Sequence, residues 1–146
     1  TVCDLRIASE NSRFGIPVNR LGLVMSHYEM AGLIELVGKS TALEILFEGR
    51  VFDAEEAYSK GLLNKVVPEK NLDHELDAMV ERICKGAPLV NRWHKRFARR
   101  IVQGLSSGEP LSEDEIMEGY ECFDTHDFQE GYNSFIEKRS PKFHGS

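Results

Sequence analysis

The chain is poor in cysteine and has no long hydrophobic run. Its three cysteines, Cys3, Cys84 and Cys122, are far apart and include no CxxC pair. Neither a disulfide framework nor a zinc site is therefore indicated, and a reducing cytosol or organelle matrix is favoured, with the cytoplasm as the predicted location. No apolar stretch approaches the roughly 18 residues that span a bilayer, so no membrane association is predicted.

Basic residues are also in deficit, because 18 Lys and Arg face 24 Asp and Glu and give a formal charge of −6. A surface that binds nucleic acid normally needs a net basic face, so nucleic acid is not a predicted partner. Any anionic ligand must instead meet a local basic cluster. The acidic run at residues 113–115 suits the first turn of a helix and has no metal-ligand geometry, so no metal site is predicted.

The densest basic cluster lies at residues 92–100, where the sequence is RWHKRFARR. Basic and aromatic residues are mixed there, as in a helix that binds nucleic acid or a membrane surface. On a helix, however, Trp93, Phe97 and Arg100 share one side, and the other cations form a surface that faces solvent or a partner. The acidic balance of the whole chain favours this second interpretation.

Hydrophobic periodicity and terminator residues predict short strands early in the chain and helices later. Strands are expected at residues 2–7, 13–16 and 62–67. Helices are expected from His27 to Gly38, from a cap at Ser40 or Thr41 to Gly49, from a capping box at Asp53 and Glu56 to Gly61, and over residues 72–85, 88–103, 112–123 and 126–139. The Gly- and Ser-rich segment Gly104–Pro110 is the predicted linker.

Three groups of short motifs become specific when they are taken together. Near the start, CDLRIA at residues 3–8 precedes RFG at 13–15 and LGL at 21–23. The middle carries VGK at 37–39, ALEI at 42–45, EGR at 48–50, AEEA at 54–57 and GLLNKVVP at 61–68. Near the end, EG at 130–131 precedes FIEKRSP at 135–141. In order and spacing, these motifs resemble the C-terminal part of the crotonase (enoyl-CoA hydratase/isomerase) superfamily, over essentially the whole chain.

The resemblance implies an α/β fold with two parts. Residues 1–68 would be the C-terminal turns of the crotonase ββα spiral, and residues 69–146 a helical region that forms homotrimers or hexamers. An apolar stripe at Leu89, Trp93, Phe97 and Ile101 agrees with this, because such a stripe needs a surface to cover it. Ordinary packing inside one chain is the alternative, and both can hold at once.

The resemblance also implies chemistry on an acyl-CoA thioester, by hydration or isomerisation through an enolate that an oxyanion hole stabilises. One oxyanion donor and the first catalytic glutamate would lie in a segment before Thr1, in cis or in another chain. The position of the second glutamate is occupied by Val18, which cannot transfer a proton. A catalytically silent acyl-CoA-binding protein or a structural oligomerisation module is therefore the alternative.

Two residues close to Val18 are candidate replacements for the acid. His27 has the right unperturbed pKa for acid–base work, and Glu29 offers a carboxylate. Both lie at the start of a predicted helix, where surface or capping roles are the alternative. Together with Val18, three residues of this region are expected to line the acyl pocket, with plain packing as the alternative: Pro17, Met25 and Tyr28.

The CoA site is expected on the last helix. Phe135 and Lys138 match the positions at which the family presents a phenyl ring and a cation to the nucleotide end of CoA. A spacing of three places both on one helix face, where the ammonium can meet phosphate. A cation that only favours the helix C-terminus is the alternative for Lys138. CoA enters as part of the substrate, and no separate cofactor is predicted.

Overall fold

The computed structural model describes residues 1–102, 104 and 108–146, and the statements below on side chains refer to these. Two compact units divide the chain, Thr1–Ala78 and Met79–Ser146. The division lies within one helix, ten residues after the predicted boundary at residue 68. The roles assigned to the two predicted parts stay predictions.

The first unit alternates short strands with helices. Its strands are β1 (Ile7–Ser9), β2 (Arg13–Phe14), β3 (Phe52–Asp53) and β4 (Lys65–Val67). Its helices are α1 (His27–Val37), α2 (Lys39–Glu48) and α3 (Ala54–Ser59), with 3₁₀ turns at Pro17–Leu21 and Glu69–Asn71. Helix α4 (Leu72–Cys84) leads into the second unit. That unit contains α5 (Pro88–Ser107), α6 (Glu113–Glu118), a 3₁₀ turn at Glu121–Asp124 and α7 (His126–Glu137).

Strands β1 and β4 pair in parallel, with Ala8 opposite Val66, and β2 and β3 pair antiparallel, with Phe14 opposite Phe52. A parallel pair needs a long crossover, and α1, α2 and α3 supply it. The crossover helices bury two neighbouring apolar clusters. One contains Ala8, Ile45, Phe52, Ala54, Ala57 and Leu63, and the other contains Leu33, Ala42 and Leu46.

Strand β1 begins at Ile7, where the strand predicted at residues 2–7 should end, because side chains replace the ladder before Ile7. The backbone N–H of Arg6 donates to the Asn64 side chain, and the Asn64 N–H donates back to the Arg6 carbonyl, both at 2.8 Å. The Arg6 side chain also donates to the carbonyl of Leu62 at 2.6 Å. The predicted strands at 13–16 and 62–67 shrink in the same way to β2 and β4.

Helix starts agree with the predicted positions in two cases out of three. The predicted helix from His27 is confirmed, with Ser26 as its cap. Asp53 caps α3 by accepting the Glu56 N–H at 2.9 Å, but the Glu56 carboxylate binds Arg50 and does not complete a capping box. The prediction that Ser40 or Thr41 caps α2 is wrong, because Gly38 at φ 78° ends α1 and starts α2.

Helix ends in the second unit differ from the expected ones. The helix predicted to reach residue 123 stops at Glu118, and a 3₁₀ turn follows. The helix predicted to reach Arg139 stops at Glu137. The predicted end of the preceding helix at residue 103 and the predicted linker start at Gly104 are wrong, because α5 continues to Ser107 and Gly108 is its C-cap. Over the described ranges, no helix combines the length and the apolar composition needed to cross a membrane.

Candidate functional site

The segment expected to carry the acyl pocket is a 3₁₀ turn that starts at Pro17. Val18 is half-buried and packs against the cluster of Leu33, Ala42 and Leu46, and Met25 packs against the same cluster. Pro17, by contrast, is exposed. The structure therefore brings Val18 and Met25 to one apolar surface of the first unit and leaves Pro17 at its edge.

Contacts with the end of α2 fix this turn in place. The Asn19 side-chain amide donates to the carbonyl of Phe47 at 2.8 Å. Gly49, at φ 54°, lies against this side chain. A Cβ at Gly49 would come within 2.1 Å of the side-chain amide oxygen of Asn19. The positive φ favours glycine at this position, and a Cβ would also displace the Asn19 side chain. The position of Val18 thus depends on the pair Asn19 and Gly49, which sequence analysis had not connected.

Apolar side chains remain exposed around the turn. Leu21, Leu23, Val24 and Tyr28 are 72%, 60%, 89% and 93% exposed. Tyr28, predicted to line the acyl pocket, therefore makes little contact within the chain as described. Contiguous exposed apolar groups of this kind mark a surface that a ligand or another protein segment covers.

Glu29 is used in the capping of α1. Its carboxylate accepts the Ser26 N–H at 3.0 Å and the Ser26 hydroxyl at 2.6 Å, while the Ser26 oxygen accepts the Glu29 N–H. The Ser26 hydroxyl, followed by its backbone N–H, lowers the pKa of Glu29. A general acid at neutral pH needs a raised pKa, so this geometry favours the capping role. His27 is exposed at the first position of the helix. Catalysis by either residue stays a prediction.

An aromatic cavity of about 350 Å³ opens beside α7 in the second unit, and Phe135 lies on its rim. Phe135 is 84% exposed, so most of its ring is free to contact a ligand. Phe128, Tyr132 and Phe143 line the same cavity, and Phe128 packs edge-on against Phe123 at 5.0 Å between ring centroids. Flat aromatic faces of this kind suit a planar ring such as a nucleobase.

Lys138 does not lie in the last turn of α7 as expected. It is the C-cap residue, with φ 54°, and it is the only non-glycine residue with positive φ among the described residues. A left-handed conformation costs an ordinary residue about 1–2 kcal/mol, and glycine is the usual occupant of this place. The helical spacing therefore does not by itself put Lys138 on the face of Phe135. The ammonium is exposed and forms no ion pair within the described part of the chain.

Two carboxylates of α7 hold the C-terminal tail, and sequence analysis did not find them. Asp127 is 2% exposed and accepts the N–H groups of His144 at 2.8 Å and Gly145 at 2.9 Å. Glu130 accepts two bonds from Arg139, at 2.6 and 2.8 Å, and the Lys142 N–H at 2.7 Å. The tail then places Phe143 in the aromatic cavity, near Gly131. A carboxylate that binds backbone N–H groups has no sequence signature, whereas the pair Glu130 and Arg139 could have been suggested by charge.

A second cluster of charged side chains, which the sequence did not predict, connects β3 to α3. Arg50 binds both Glu48 and Glu56, and its guanidinium lies 5.7 Å from the ring centroid of Phe52. Lys60 joins the cluster through Glu44 at 2.7 Å and Glu56 at 3.3 Å. The Arg50 hydrogen bond is the main cause of the lowered pKa of Glu56. Arg50 and Glu56 both belong to the sequence motifs, and these ion pairs give the two residues a structural role. Across the described residues, no three His, Cys, Asp or Glu side chains gather as a metal site requires.

Comparisons with known proteins agree with the motif pattern. A model of the enoyl-CoA hydratase/isomerase family matches residues 1–146. Enoyl-CoA hydratase domain-containing protein 3, mitochondrial, of Xenopus laevis is 36% identical over 140 residues, which cover 95% of this chain and 46% of that protein. A short-chain-enoyl-CoA hydratase of Clostridium acetobutylicum is 34% identical over 137 residues, 94% of this chain and 52% of that protein. The chain thus spans about half the length of the curated relatives it matches.

Solved structures show the same fold. An enoyl-CoA hydratase/carnithine racemase from Magnetospirillum magneticum matches with a TM-score of 0.92 and 43% identity, over 99% of this chain and 52% of that one. An enoyl-CoA hydratase from Bacillus anthracis matches with a TM-score of 0.87 and 30% identity, over 99% of this chain and 55% of that one. The predicted α/β crotonase fold is confirmed.

The lowered pKa of Glu130 provides a test of the contacts that hold the C-terminal tail. The Arg139 hydrogen bond, followed by the Lys142 N–H, lowers the pKa of Glu130 from 4.5 to about 2. Because the folded state binds the proton more weakly, this group stabilises the fold fully above pH 4.5 and loses its effect as the pH falls toward 2. Glu130→Gln should remove that part of the acid dependence, measured by urea unfolding across this pH range. Glu35→Gln, exposed on α1, is the control, and an unaltered acid profile in Glu130→Gln would contradict the assignment.

Proposed function

Because the chain belongs to the enoyl-CoA hydratase/isomerase family of the crotonase superfamily, we propose that it forms part of an enzyme that hydrates or isomerises an enoyl-CoA thioester. The family match along residues 1–146 is the observation that carries this proposal. The enzyme names of the relatives support it, while this chain corresponds to about half their length. A cytoplasmic location and the absence of a separate cofactor stay predictions.

The second unit carries the proposed CoA-binding residues. Phe135 presents an exposed ring at an aromatic cavity of about 350 Å³, and Lys138 presents an exposed ammonium at the end of the same helix. The ring packs against the adenine or the pantetheine arm, and the ammonium pairs with a phosphate. Retention of a lysine where the backbone favours glycine supports a role for this charge, since strained positions concentrate at functional sites.

The first unit supplies one wall of the acyl pocket. Val18 and Met25 present apolar surface that is continuous with the cluster around Leu33, and Tyr28, at the start of α1, has an exposed ring. An apolar lining of this kind binds an acyl chain by excluding water. The resemblance puts the first acid and one oxyanion donor outside this chain. The enolate oxygen needs both donors, so chemistry requires a second half of the fold.

A second candidate function, a catalytically silent protein that binds acyl-CoA, rests on the position that the resemblance assigns to Val18. Valine stands where the family keeps its second glutamate, and Glu29 is engaged with Ser26. Loss of a general acid–base group costs roughly 10²- to 10⁴-fold in rate. A protein of this kind keeps the apolar wall and the CoA contacts but does not catalyse hydration of the enoyl-CoA.

This chain alone is expected to bind a CoA ester and to show no hydration of crotonyl-CoA above background, because one oxyanion donor and the first acid are absent. Binding is measured by calorimetry and turnover by the loss of enoyl absorbance. The full-length Clostridium acetobutylicum hydratase serves as the positive control. Hydration by the chain alone at an enzymatic rate would overturn this division of the site.

A chimaera separates the enzyme from the silent protein. This chain would replace the matched 52% of the Magnetospirillum magneticum protein, whose fold it shares at a TM-score of 0.92. Hydration by the chimaera with Val18 in place supports the enzyme. If hydration appears only after Val18→Glu, while CoA-ester affinity is the same in both, the silent protein is the better assignment.

The proposed assembly is a homotrimer or a hexamer. Exposed apolar residues of α7 support an interface, since Tyr132, Phe135 and Ile136 are 59%, 84% and 60% exposed. A surface of this kind is unfavourable in water unless it is covered. Sedimentation equilibrium should give the mass of a trimer or of a multiple of a trimer. A monomer at all concentrations would contradict the proposed assembly.

Lys138→Ala should weaken CoA-ester binding several-fold and leave the chemical step unchanged. The ammonium meets a phosphate far from the reacting atoms, so its energy is equal in ground and transition states and its loss raises KM while sparing kcat. Alanine and lysine both have a Cβ, so the strain of the left-handed backbone stays the same and the change reports on the charge.

Affinity is titrated with this chain at two ionic strengths, and the KM and kcat comparison uses the chimaera. The loss should be smaller at high salt, because salt screens an exposed charge pair. Lys70→Ala, an exposed lysine of the first unit, is the matched control. An affinity that does not change in Lys138→Ala, or a loss that is equal at both ionic strengths, would leave Lys138 as a helix-terminal charge only.

A further inference from the structure

The basic run that the sequence assigned to a surface lines a large cavity of the second unit. This cavity lies between α5 and α6 and has a volume of about 830 Å³, within the usual range of small-molecule sites. Five cations of α5 line it at positions that share one helix face over about 12 Å. They are Arg92, Lys95, Arg96, Arg99 and Arg100.

Apolar side chains line the same cavity between the cations. Phe97 and Ile101 come from α5, Ile116 from α6, and Leu111 from the connection between the helices. Ile101, Leu111 and Ile116 are each about half exposed, at 50%, 45% and 51%. The cavity therefore combines an apolar wall with a cationic rim, and a ligand that fits it needs an apolar part and an anionic part.

Carboxylates already occupy part of the rim. Glu115 binds Arg100, with an Nε–Oε1 distance of 2.5 Å, and Glu118 binds Arg96. The Arg100 hydrogen bond is the main cause of the lowered pKa of Glu115. These pairs fasten α6 to α5 and show that carboxylates fit the arginines of this face. The four arginines of the lining still exceed its two carboxylates by two charges.

Arg92 and Arg99 are the arginines of this rim that have no carboxylate partner among the described residues. A guanidinium presents a planar fork of donors that matches one carboxylate in a bidentate pair. The chain as a whole carries a charge of −6, which disfavours a long polyanion such as nucleic acid and leaves a compact anion as the better match.

We propose that the cavity between α5 and α6 binds a fatty carboxylate. Its head pairs with Arg92 or Arg99, and its chain covers Phe97, Ile101 and Ile116. Arg96 and Arg100 stay with Glu118 and Glu115 and keep the two helices together. The site binds a free acid, and this binding is independent of the proposed chemistry on a thioester.

The test is a calorimetric titration of this chain with decanoate and dodecanoate below their micelle concentrations and with dodecanol below its solubility limit. Two added methylenes should tighten binding by about tenfold, since each buried methylene contributes about 0.8 kcal/mol. Dodecanol, which has the same chain and no charge, should bind several-fold more weakly than dodecanoate. The difference should shrink at high salt.

Variants locate the head group. Arg92→Gln and Arg99→Gln, singly and together, should weaken dodecanoate several-fold and leave the urea unfolding curve unchanged, because neither residue fastens α6. Arg20→Gln, an exposed arginine of the first unit, is the matched control and should bind as the parent does. A loss in one single variant identifies the arginine that meets the carboxylate.

Three outcomes would overturn the proposal. The first is equal affinity for dodecanol and dodecanoate, and the second is an unchanged affinity in the double variant. The third is displacement of dodecanoate by CoA that carries no acyl chain, since the cavity would then bind phosphate and not a fatty acid. If the double variant changes sedimentation and leaves dodecanoate binding unaltered, the face is an interface with a second copy of the chain, which also rejects the ligand site.

Discussion

The buried carboxylate of Asp127 is the contact on which the second unit depends. Its two oxygens accept the N–H groups of His144 and Gly145, while its own N–H donates to the carbonyl of Ser146 at 3.0 Å. An uncompensated buried charge would be strongly unfavourable, so the tail and the helix start specify each other. With the tail fixed, Phe143 completes the aromatic cavity in which Phe135 also takes part. The proposed CoA face thus rests on a polar interaction some distance along the chain.

In the first unit, too, hydrogen bonds from single side chains hold separate segments together. Asn64 extends the pairing of β1 and β4 by exchanging hydrogen bonds with Arg6, and Asn19 connects the turn at Val18 to the end of α2. In both places a side-chain amide pairs with a backbone group that the strand or helix ladder leaves unpaired. The apolar wall around Val18 and Met25 is therefore positioned by polar contacts at its margins.

Sequence alone predicted the family, the α/β fold and the main helices, because motif order and apolar periodicity are local signals. It placed the start of α1 at His27 and the cap at Asp53 correctly. It failed where a tertiary contact outweighs a local pattern, as at residues 2–6, where Arg6 binds Asn64, and at Gly38, which serves two helices at once. Phe135 was expected as a ligand contact and lies on a cavity rim, whereas the buried position of Asp127 has no periodic signature and was not foreseen. The roles of His27, Glu29 and Lys138 stay predictions.

The parallel pairing of β1 with β4 has a consequence for the order of folding. Ile7 is opposite Lys65, so the two strands meet only after a loop of 58 residues has closed. In the second unit, His144 returns to Asp127 across 17 residues, and Arg100 reaches Glu115 across 15. Folding slows as contacts span longer stretches of chain. The helical second unit is therefore expected to fold first, while the first unit must form α1, α2 and α3 before its central strands can pair.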